Sequence, residues 1–387
     1  MFTKIWSILA GVKSSPSKSA DTSMAAIVVS QHGPPSVLKY ETSFPAPVPS
    51  PSQLLCRVVA ASVNPCDFKL RKHPVLSTTY RLPKVPGSDF AGLVLRAPAG
   101  SPFKEGDRVF GLLPILGSSF GSYASLCAVD QECVALAPDG VPLESLAAVG
   151  LVACTVLQAL RPVIECYGRA LLRGKKILIT AASGGVGTFA TQYCHNVLGM
   201  HVAVTVSPRN FELMAALGAS DLIDYHTERL EDRVKDFDVF LDLRSHENER
   251  RVFAKGARVL RRRGHPPAFY INVAASPYGD SSGTDAIAGD SLGWTIPEAR
   301  LDRVAAGFFR SGWSGLLSRL SPGSEEVRYH FVLVEPEAAA LVETAEAMAA
   351  GLVRAVVQET IPMAEAKRAH ELIETGHVVG KLVLVNE

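Results

Sequence analysis

The stretch Ile177-Leu178-Ile179-Thr180-Ala181-Ala182-Ser183-Gly184-Gly185-Val186-Gly187-Thr188 joins a short apolar run to a glycine-rich loop that opens a helical pattern. A loop in that context can hold a pyrophosphate: glycines let the backbone turn tightly and come close, and free amides at the helix start stabilise negative charge. Ala182 stands where a Gly-x-Gly-x-x-Gly loop has its first glycine. A structural turn without ligand is the alternative. After the next apolar run, ending at Val206, the chain reads Ser207-Pro208-Arg209-Asn210. A site for NADH usually has Asp or Glu there, roughly 20 residues past the loop, to bind the ribose 2′-hydroxyl. Here a hydroxyl and a guanidinium stand instead, and their charge and geometry suit a 2′-phosphate. NADPH is therefore favoured over NADH. Alternatively, Ser207-Pro208 only caps a helix and Arg209 is solvated.

These loops need elements on either side. Residues 175–180, 201–206, 221–224 and 238–241 read as strands, with helices at 187–198 and 210–217. Strands alternating with helices predict a parallel sheet of βαβ units. A last strand of that sheet is expected at 329–334 and a helix at 336–350. Earlier in the chain, 25–30, 54–63, 92–95, 108–110 and 122–129 read as short strands divided by glycine and proline, which describes a partly open β-barrel. Residues 143–160, apolar all round, read as one buried helix. From 353 to 385 the pattern is strand, helix (363–375), strand, returning to the first domain. Residues 274–329 dissolve into glycine, serine and aromatics.

Composition excludes several classes. An apolar fraction of 47% and a charged fraction of 20% over 387 residues supply a sizeable core, which a disordered chain lacks. The formal charge is +1, so no global field would hold nucleic acid. Seven cysteines without a Cys-x-x-Cys pair fit neither a disulfide framework nor a Cys-rich zinc module. The longest apolar stretch, 147–160, is shorter than the ~18–20 residues a bilayer requires, so no transmembrane span is expected. Residues 1–24 carry Lys4, Lys13 and Lys18 with no acid before Asp21, and Phe2, Ile5, Trp6, Leu9 and Val12 recur at helical spacing. That pattern suits a mitochondrial transit segment, with a flexible tail in a cytoplasmic protein or a membrane-surface anchor as alternatives.

Taken together, the barrel, the loop at 182–188, Val206-Ser207-Pro208-Arg209-Asn210 and Ile223-Asp224-Tyr225 resemble the medium-chain dehydrogenase/reductase superfamily, in its zinc-free quinone-oxidoreductase branch. Val63-Asn64-Pro65-Cys66-Asp67, Pro86-Gly87-Ser88-Asp89-Phe90-Ala91-Gly92, Gly106-Asp107-Arg108-Val109 and Gly376-His377-Val378-Val379-Gly380-Lys381 add to the likeness. The resemblance implies an α/β chain: a GroES-like partly open β-barrel domain (25–145 and 352–387) plus a Rossmann doubly wound parallel-sheet domain (146–351). It implies that Ser183, Gly184, Gly185, Val186, Gly187 and Thr188 line the pyrophosphate, and that Ser207, Arg209 and Tyr225 surround the adenosine phosphate. Thr155 and the main chain around Leu243, Val273, Gly380 and Lys381 approach the nicotinamide, and Asn64 lies near the reacting centre. Tyr225 and Thr155 can also be read as ordinary core or cap residues. Zinc enzymes of the superfamily place a Cys where this chain has Asn64, His-Glu where it has Ser88-Asp89, and a second Cys near Leu151. Asn, Ser and Leu cannot replace thiolate and imidazole ligands, so no zinc is expected.

The resemblance implies hydride transfer from NADPH to a small-molecule quinone or α,β-unsaturated carbonyl, with Asn64, a backbone amide or water meeting the oxygen's growing charge. A solvent proton can finish such a reaction, and Tyr80 is no convincing acid. Two departures stand out: Asp242-Leu243-Arg244-Ser245, which sets a long cation beside the nicotinamide loop, and Arg261-Arg262-Arg263-Gly264-His265-Pro266-Pro267. They read as surface variation or as decayed catalysis. Phe308, Phe309 and Trp313 can fill core, line a substrate pocket or pack an interface. The second functional reading is an NADPH-binding structural or assembly subunit of a mitochondrial complex, as a homodimer or in a larger assembly.

Overall fold

In the computed structural model, the described residues are 23–72, 82–115, 120–244, 248, 252, 258–261, 264–273 and 327–386. Residues 1–22 of the segment 1–24 expected to be a transit or flexible segment, Tyr80, and the aromatic residues Phe308, Phe309 and Trp313 lie outside them. Strands β1 (Ser23–Val29) and β2 (Leu38–Pro45) pair antiparallel. Strand β3 (Gln53–Val63) is the hub of the first sheet, because β-branched and apolar residues on both its faces are covered. It pairs antiparallel with β4 (Asp89–Arg96), which pairs with β5 (Arg108–Leu112), and also with β6 (Leu126–Asp130); β7 (Val134–Leu136) follows on β5. Gly92 permits the close pairing: a Cβ there would stand 1.9 Å from the Arg57 carbonyl oxygen. Ile27, Leu54, Phe90, Tyr123 and Leu384 fill the inside of this partly open barrel. At its rim β3 ends at Val63, and Pro65, pre-set for a first helical turn, starts helix α1 (Pro65–Lys72).

The helix expected at 143–160 is two helices, α2 (Leu143–Ala147) and α3 (Gly150–Tyr167). The chain restarts its helix where the Leu151 amide donates to the Asp89 carboxylate at 2.5 Å. Gly150 makes room for that carboxylate, since a Cβ there would lie 2.7 Å from its Oδ1. Apolar periodicity cannot show a break caused by an acid 62 residues away. Among the described residues α3 alone is long and apolar enough to cross a membrane, and 67% of it is buried inside the protein, which makes it a core helix.

The second sheet is parallel, in the order β10-β9-β8-β11-β12-β13. Its strands are β8 (Lys176–Ile179), β9 (His201–Thr205), β10 (Asp221–Ile223), β11 (Val239–Asp242), β12 (Phe269–Asn272) and β13 (Arg328–Phe331). This is the doubly wound order of a Rossmann sheet, with the crevice at the β8–β11 switch point. Helix α4 (Gly185–Gln192) follows β8, and the helix expected to reach residue 198 continues instead as a wider turn over Tyr193–Val197. There the Leu198 amide donates to the Tyr193 carbonyl, five residues back. Short helices α5 (Phe211–Ala216) and α6 (Leu230–Arg233) follow β9 and β10, and α7 (Ala338–Ala349) covers the sheet. Arg261 is more than surface variation: its guanidinium donates to the Asp238 carboxylate, the Tyr167 hydroxyl and the Pro266 carbonyl, pinning α3 to the sheet.

The chain then returns to the first sheet. Strand β14 (Val357–Pro362) and helix α8 (Ala366–Glu374) lead to β15 (Lys381–Val385), which pairs antiparallel with β3. A backbone bridge joins the two halves: the Gly380 amide donates to the Ser183 carbonyl at 2.7 Å, immediately before β15. It brings Lys381 beside the glycine loop.

Candidate active site

The loop between β8 and α4 owes its shape to small residues. Gly187 lies so close to the strand that a Cβ would stand 2.5 Å from the Ala182 Cα and carbonyl oxygen. Gly185 leaves space for the Lys381 side chain, whose Cδ a Cβ would meet at 2.7 Å. Gly184 takes the N-cap position in extended conformation, and the Thr188 amide donates to its carbonyl at 2.9 Å. The first amides of α4, at Gly185, Val186 and Gly187, therefore point out of the helix start, as an anion requires. Ser183 and Val186 are partly exposed beside them, while Thr188 is buried with its hydroxyl on the Gly185 carbonyl at 3.0 Å.

Beneath the loop a buried network locks the switch point. Thr180 Oγ1 donates to Asp242 Oδ1 at 2.8 Å, and the Tyr270 hydroxyl donates to Asp242 Oδ2 at 2.6 Å. Thr180 Oγ1 accepts the Leu243 amide at 2.9 Å, and the Val273 amide donates to the Asp242 carbonyl at 3.1 Å. Leu243 and Val273 thus sit at the mouth of the crevice on a fixed backbone. Thr155, buried on α3, donates its hydroxyl to the Leu151 carbonyl of its own helix at 2.7 Å.

At the far end of the sheet, Ser207 and Tyr225 come together with a residue that sequence reasoning passed over. Ser207 Oγ is 2.9 Å from the Tyr225 hydroxyl and 3.4 Å from His226 Nε2. Arg209 is exposed on the same turn as Ser207. Arg244, read as a cation near the nicotinamide, instead holds its guanidinium 5.5 Å from the Tyr225 ring centre.

Asn64 lies where β3, β4, α3 and β15 converge, only 1% exposed. Its Nδ2 donates to Asp89 Oδ2 at 2.8 Å, and its Oδ1 accepts from Lys381 Nζ. Asp89 also accepts from Ser62 Oγ at 2.6 Å and from the Leu151 amide, and Lys381 Nζ stands 3.4 Å from its Oδ2. The Asn64 amide donates to Asp67 Oδ2 at 2.8 Å, and the Tyr123 hydroxyl donates to the same oxygen at 2.9 Å. Burial raises the Asp67 carboxyl to about 6, against the pull of those two donors; Asp89 raises it further. Burial, then the Asp67 charge, hold the Tyr123 hydroxyl and the Cys66 thiol well above their usual ranges, so neither ionises near neutrality.

The sequence pointed to the Lys381 main chain and missed its side chain. The signal was present: Gly380-Lys381 heads an apolar strand, Leu382 to Val385, and Asp89 likewise opens one. A lysine and an acid at the heads of buried strands need partners.

Residues 50–139 match the family described as alcohol dehydrogenase GroES-like domain, and residues 217–384 that described as zinc-binding dehydrogenase. The chain is 34% identical to the 2-methylene-furan-3-one reductase of Solanum lycopersicum, over 69% of its own length and 70% of the relative's. The motifs also point to the mitochondrial reticulon-4-interacting oxidoreductases. The chain is 28% identical to the mitochondrial NAD(P)H oxidoreductase RTN4IP1 of Danio rerio, over 94% of its own length and 91% of the relative's. The quinone oxidoreductase of Escherichia coli, solved in complex with NADPH, shares the fold with a TM-score of 0.67 at 24% identity, covering 93% of this chain and 99% of that one.

Proposed function

The chain belongs to the medium-chain dehydrogenase/reductase superfamily, and on that premise we propose that it is a zinc-independent, NADPH-dependent oxidoreductase passing hydride to a quinone or an α,β-unsaturated carbonyl. The observation that carries this reading is the Lys381–Asn64–Asp89 network set against the glycine loop. Support for the acceptor class comes from the furanone reductase, whose substrate by name is an enone.

The cradle fits a phosphorylated dinucleotide. Amides at the start of α4 would hold the pyrophosphate, and Ser207, Arg209 and Tyr225 the adenosine phosphate. Asp224, in the turn that carries Tyr225, is engaged within that turn: its oxygens accept from the His226 amide at 3.0 Å and the Thr227 hydroxyl at 2.9 Å. Bound there, the reduced nicotinamide supplies the hydride. Leu243 and Val273, fixed through Asp242 and Thr180, shape its wall.

Asn64 presents a second N–H beyond the one given to Asp89, a donor for the acceptor's oxygen as charge builds on it. Its orientation is forced. Turning the amide over would set its oxygen against the carboxylate and its nitrogen against the ammonium. Lys381 and Asp89 are thus positioning residues for Asn64. Hydride to carbon and a proton from solvent complete the reduction, so no buried acid is needed.

The same residues do not fit zinc. Where a thiolate, a His-Glu pair and a second thiolate would be needed, the chain has Asn64, Ser88-Asp89 and Leu151, and the Asp89 carboxylate already faces the Lys381 ammonium. Among the described residues no group of three His, Cys, Asp or Glu is placed to hold a metal ion. In this reading 25–145 with 352–387 form the acceptor side and 146–351 the cofactor side. The amphipathic residues 1–24 and the mitochondrial relative support import into mitochondria. The test is NADPH oxidation against a panel of quinones and enones: turnover faster with NADPH than with NADH is expected, and tight NADPH binding with no turnover on any acceptor overturns the reading.

A further inference from the structure

We propose that Cys56 and Cys127 form a dithiol that hydroperoxides close to a disulfide, a reversible redox site inside the barrel. The two residues are direct partners in the antiparallel ladder of β3 and β6. Directly opposed residues send their side chains to the same face with Cα atoms about 4.5–5.5 Å apart, inside the ~4.4–6.8 Å that a disulfide spans. Both side chains are fully buried in the barrel's apolar core, and the two thiols hydrogen-bond each other. The other cysteines, Cys66, Cys133, Cys154, Cys166 and Cys194, lie on helices and turns. Spacing along the chain hides the pair, because α1, β4 and β5 come between its two members.

The chemistry needs only the pair and the oxidant. One sulfur attacks a peroxide oxygen, the O–O bond breaks, the alkoxide leaves with the thiol proton as an alcohol (water from hydrogen peroxide), and the sulfur becomes a sulfenic acid. The opposed thiol displaces the sulfenic oxygen: the S–S bond forms, and the oxygen leaves with the second thiol proton as water. Two electrons pass from the sulfurs to the peroxide. Burial sets the pace. It raises the Cys127 thiol well above its usual range, and the hydrogen bond and charge of Cys56 add to that, so Cys127 stays protonated while the barrel is closed. Strand β6 is the gate: it has five residues, and among the described strands it pairs with β3 alone, so it loosens before strands held on both edges. The disulfide closes a loop that carries Asn64, α1 and Asp89, which limits the unfolded chain and braces the segments around Asn64.

The experiment treats the full chain with hydrogen peroxide, in buffer and at urea concentrations below its unfolding midpoint. The chain is then unfolded, its free thiols are alkylated with iodoacetamide, and its peptides are mapped by mass. The expected product joins the Cys56 and Cys127 peptides with the loss of two hydrogens, forms faster as urea rises, and is undone by dithiothreitol. The linked chain melts at a higher temperature than the reduced one, and Cys56→Ser and Cys127→Ala lose both the link and the shift. The map of the unsubstituted chain decides even where a variant fails to fold. Recovery of both peptides in alkylated form, while the part-exposed Cys66 and Cys166 are oxidised, reduces the pair to core packing and overturns the proposal. So does a sulfinic acid on either cysteine in place of the link, or a link from either one to a different cysteine.

Discussion

Lys381 is where structure and chemistry meet most tightly in this molecule. Its ammonium is 6% exposed, the Asp89 carboxylate fully buried, and Asn64 bridges them. Lys381→Met removes one charge and strands the other, a change that costs about 3–5 kcal/mol in buried pairs. It also frees the Asn64 amide to turn. Two losses are therefore expected, in urea midpoint and in turnover. Adding Asp89→Asn removes the stranded charge, so the double variant should regain much of the stability yet stay slow, because nothing then fixes the amide. A double variant that recovers turnover along with stability would reduce the network to a folding device. The candidate role of Asn64 was legible in its motif. That of the Lys381 side chain was not, because it stands 292 residues from Asp89 and only the fold joins them. The same holds for Arg244, whose neighbour Tyr225 belongs to a different βαβ unit.

Helices α1 and α8 are held together by charge rather than by an apolar face alone. Arg71, fully buried, donates to the Gly33 carbonyl, to Glu374 and, at 3.3 Å, to His370 Nδ1, while Lys72 meets Glu374 at 2.6 Å. His370 is buried, its Nε2 has no partner, and burial followed by Arg71 and Lys72 lowers its pKa to about 3. The unfolded chain takes up that proton below its ordinary 6.5 and the folded chain does not. Stability from this group is therefore full above pH 6.5 and is lost as pH falls toward 3, at up to about 1.4 kcal/mol per unit. Asp67 works in the opposite sense: with its carboxyl raised from 3.8 to about 6, the folded chain binds the proton first and gains as pH falls through that window. His370→Gln keeps an acceptor for Arg71 and cannot titrate. Urea titrations should show the variant gaining on the wild type steadily from pH 6.5 downward; parallel curves would mean that His370 is protonated in the fold. Most elements were legible from periodicity and turn residues, since those are local properties. The break between α2 and α3 was not, because Asp89 causes it from another strand, and the wide turn at Tyr193–Val197 leaves the apolar spacing intact.

The two sheets share one core. A single apolar cluster runs from Ala60, Ala91 and Phe110 of the barrel, through Val152, Val156 and Leu160 of α3, to Ile177, Val202 and Val239 of the parallel sheet. The return of the chain to the barrel was visible in its last 35 residues as strand, helix, strand. That this return also closes the crevice, through Gly380 on Ser183 and Lys381 over Gly185, emerges only when both sheets are present. A shared core and a shared site mean that neither sheet keeps its contacts if the other unfolds. Chains of two domains often unfold in steps; this one is expected to give a single calorimetric transition. NADPH at a hundredfold excess over its dissociation constant adds about 2.7 kcal/mol to whatever unit holds it. If the unit is the whole chain, the entire transition moves up in temperature without splitting. If the parallel sheet alone holds the nucleotide, NADPH draws out a second, later transition and leaves the barrel's melting where it was, and the coupling of Lys381 to the glycine loop is then too weak to join the two halves.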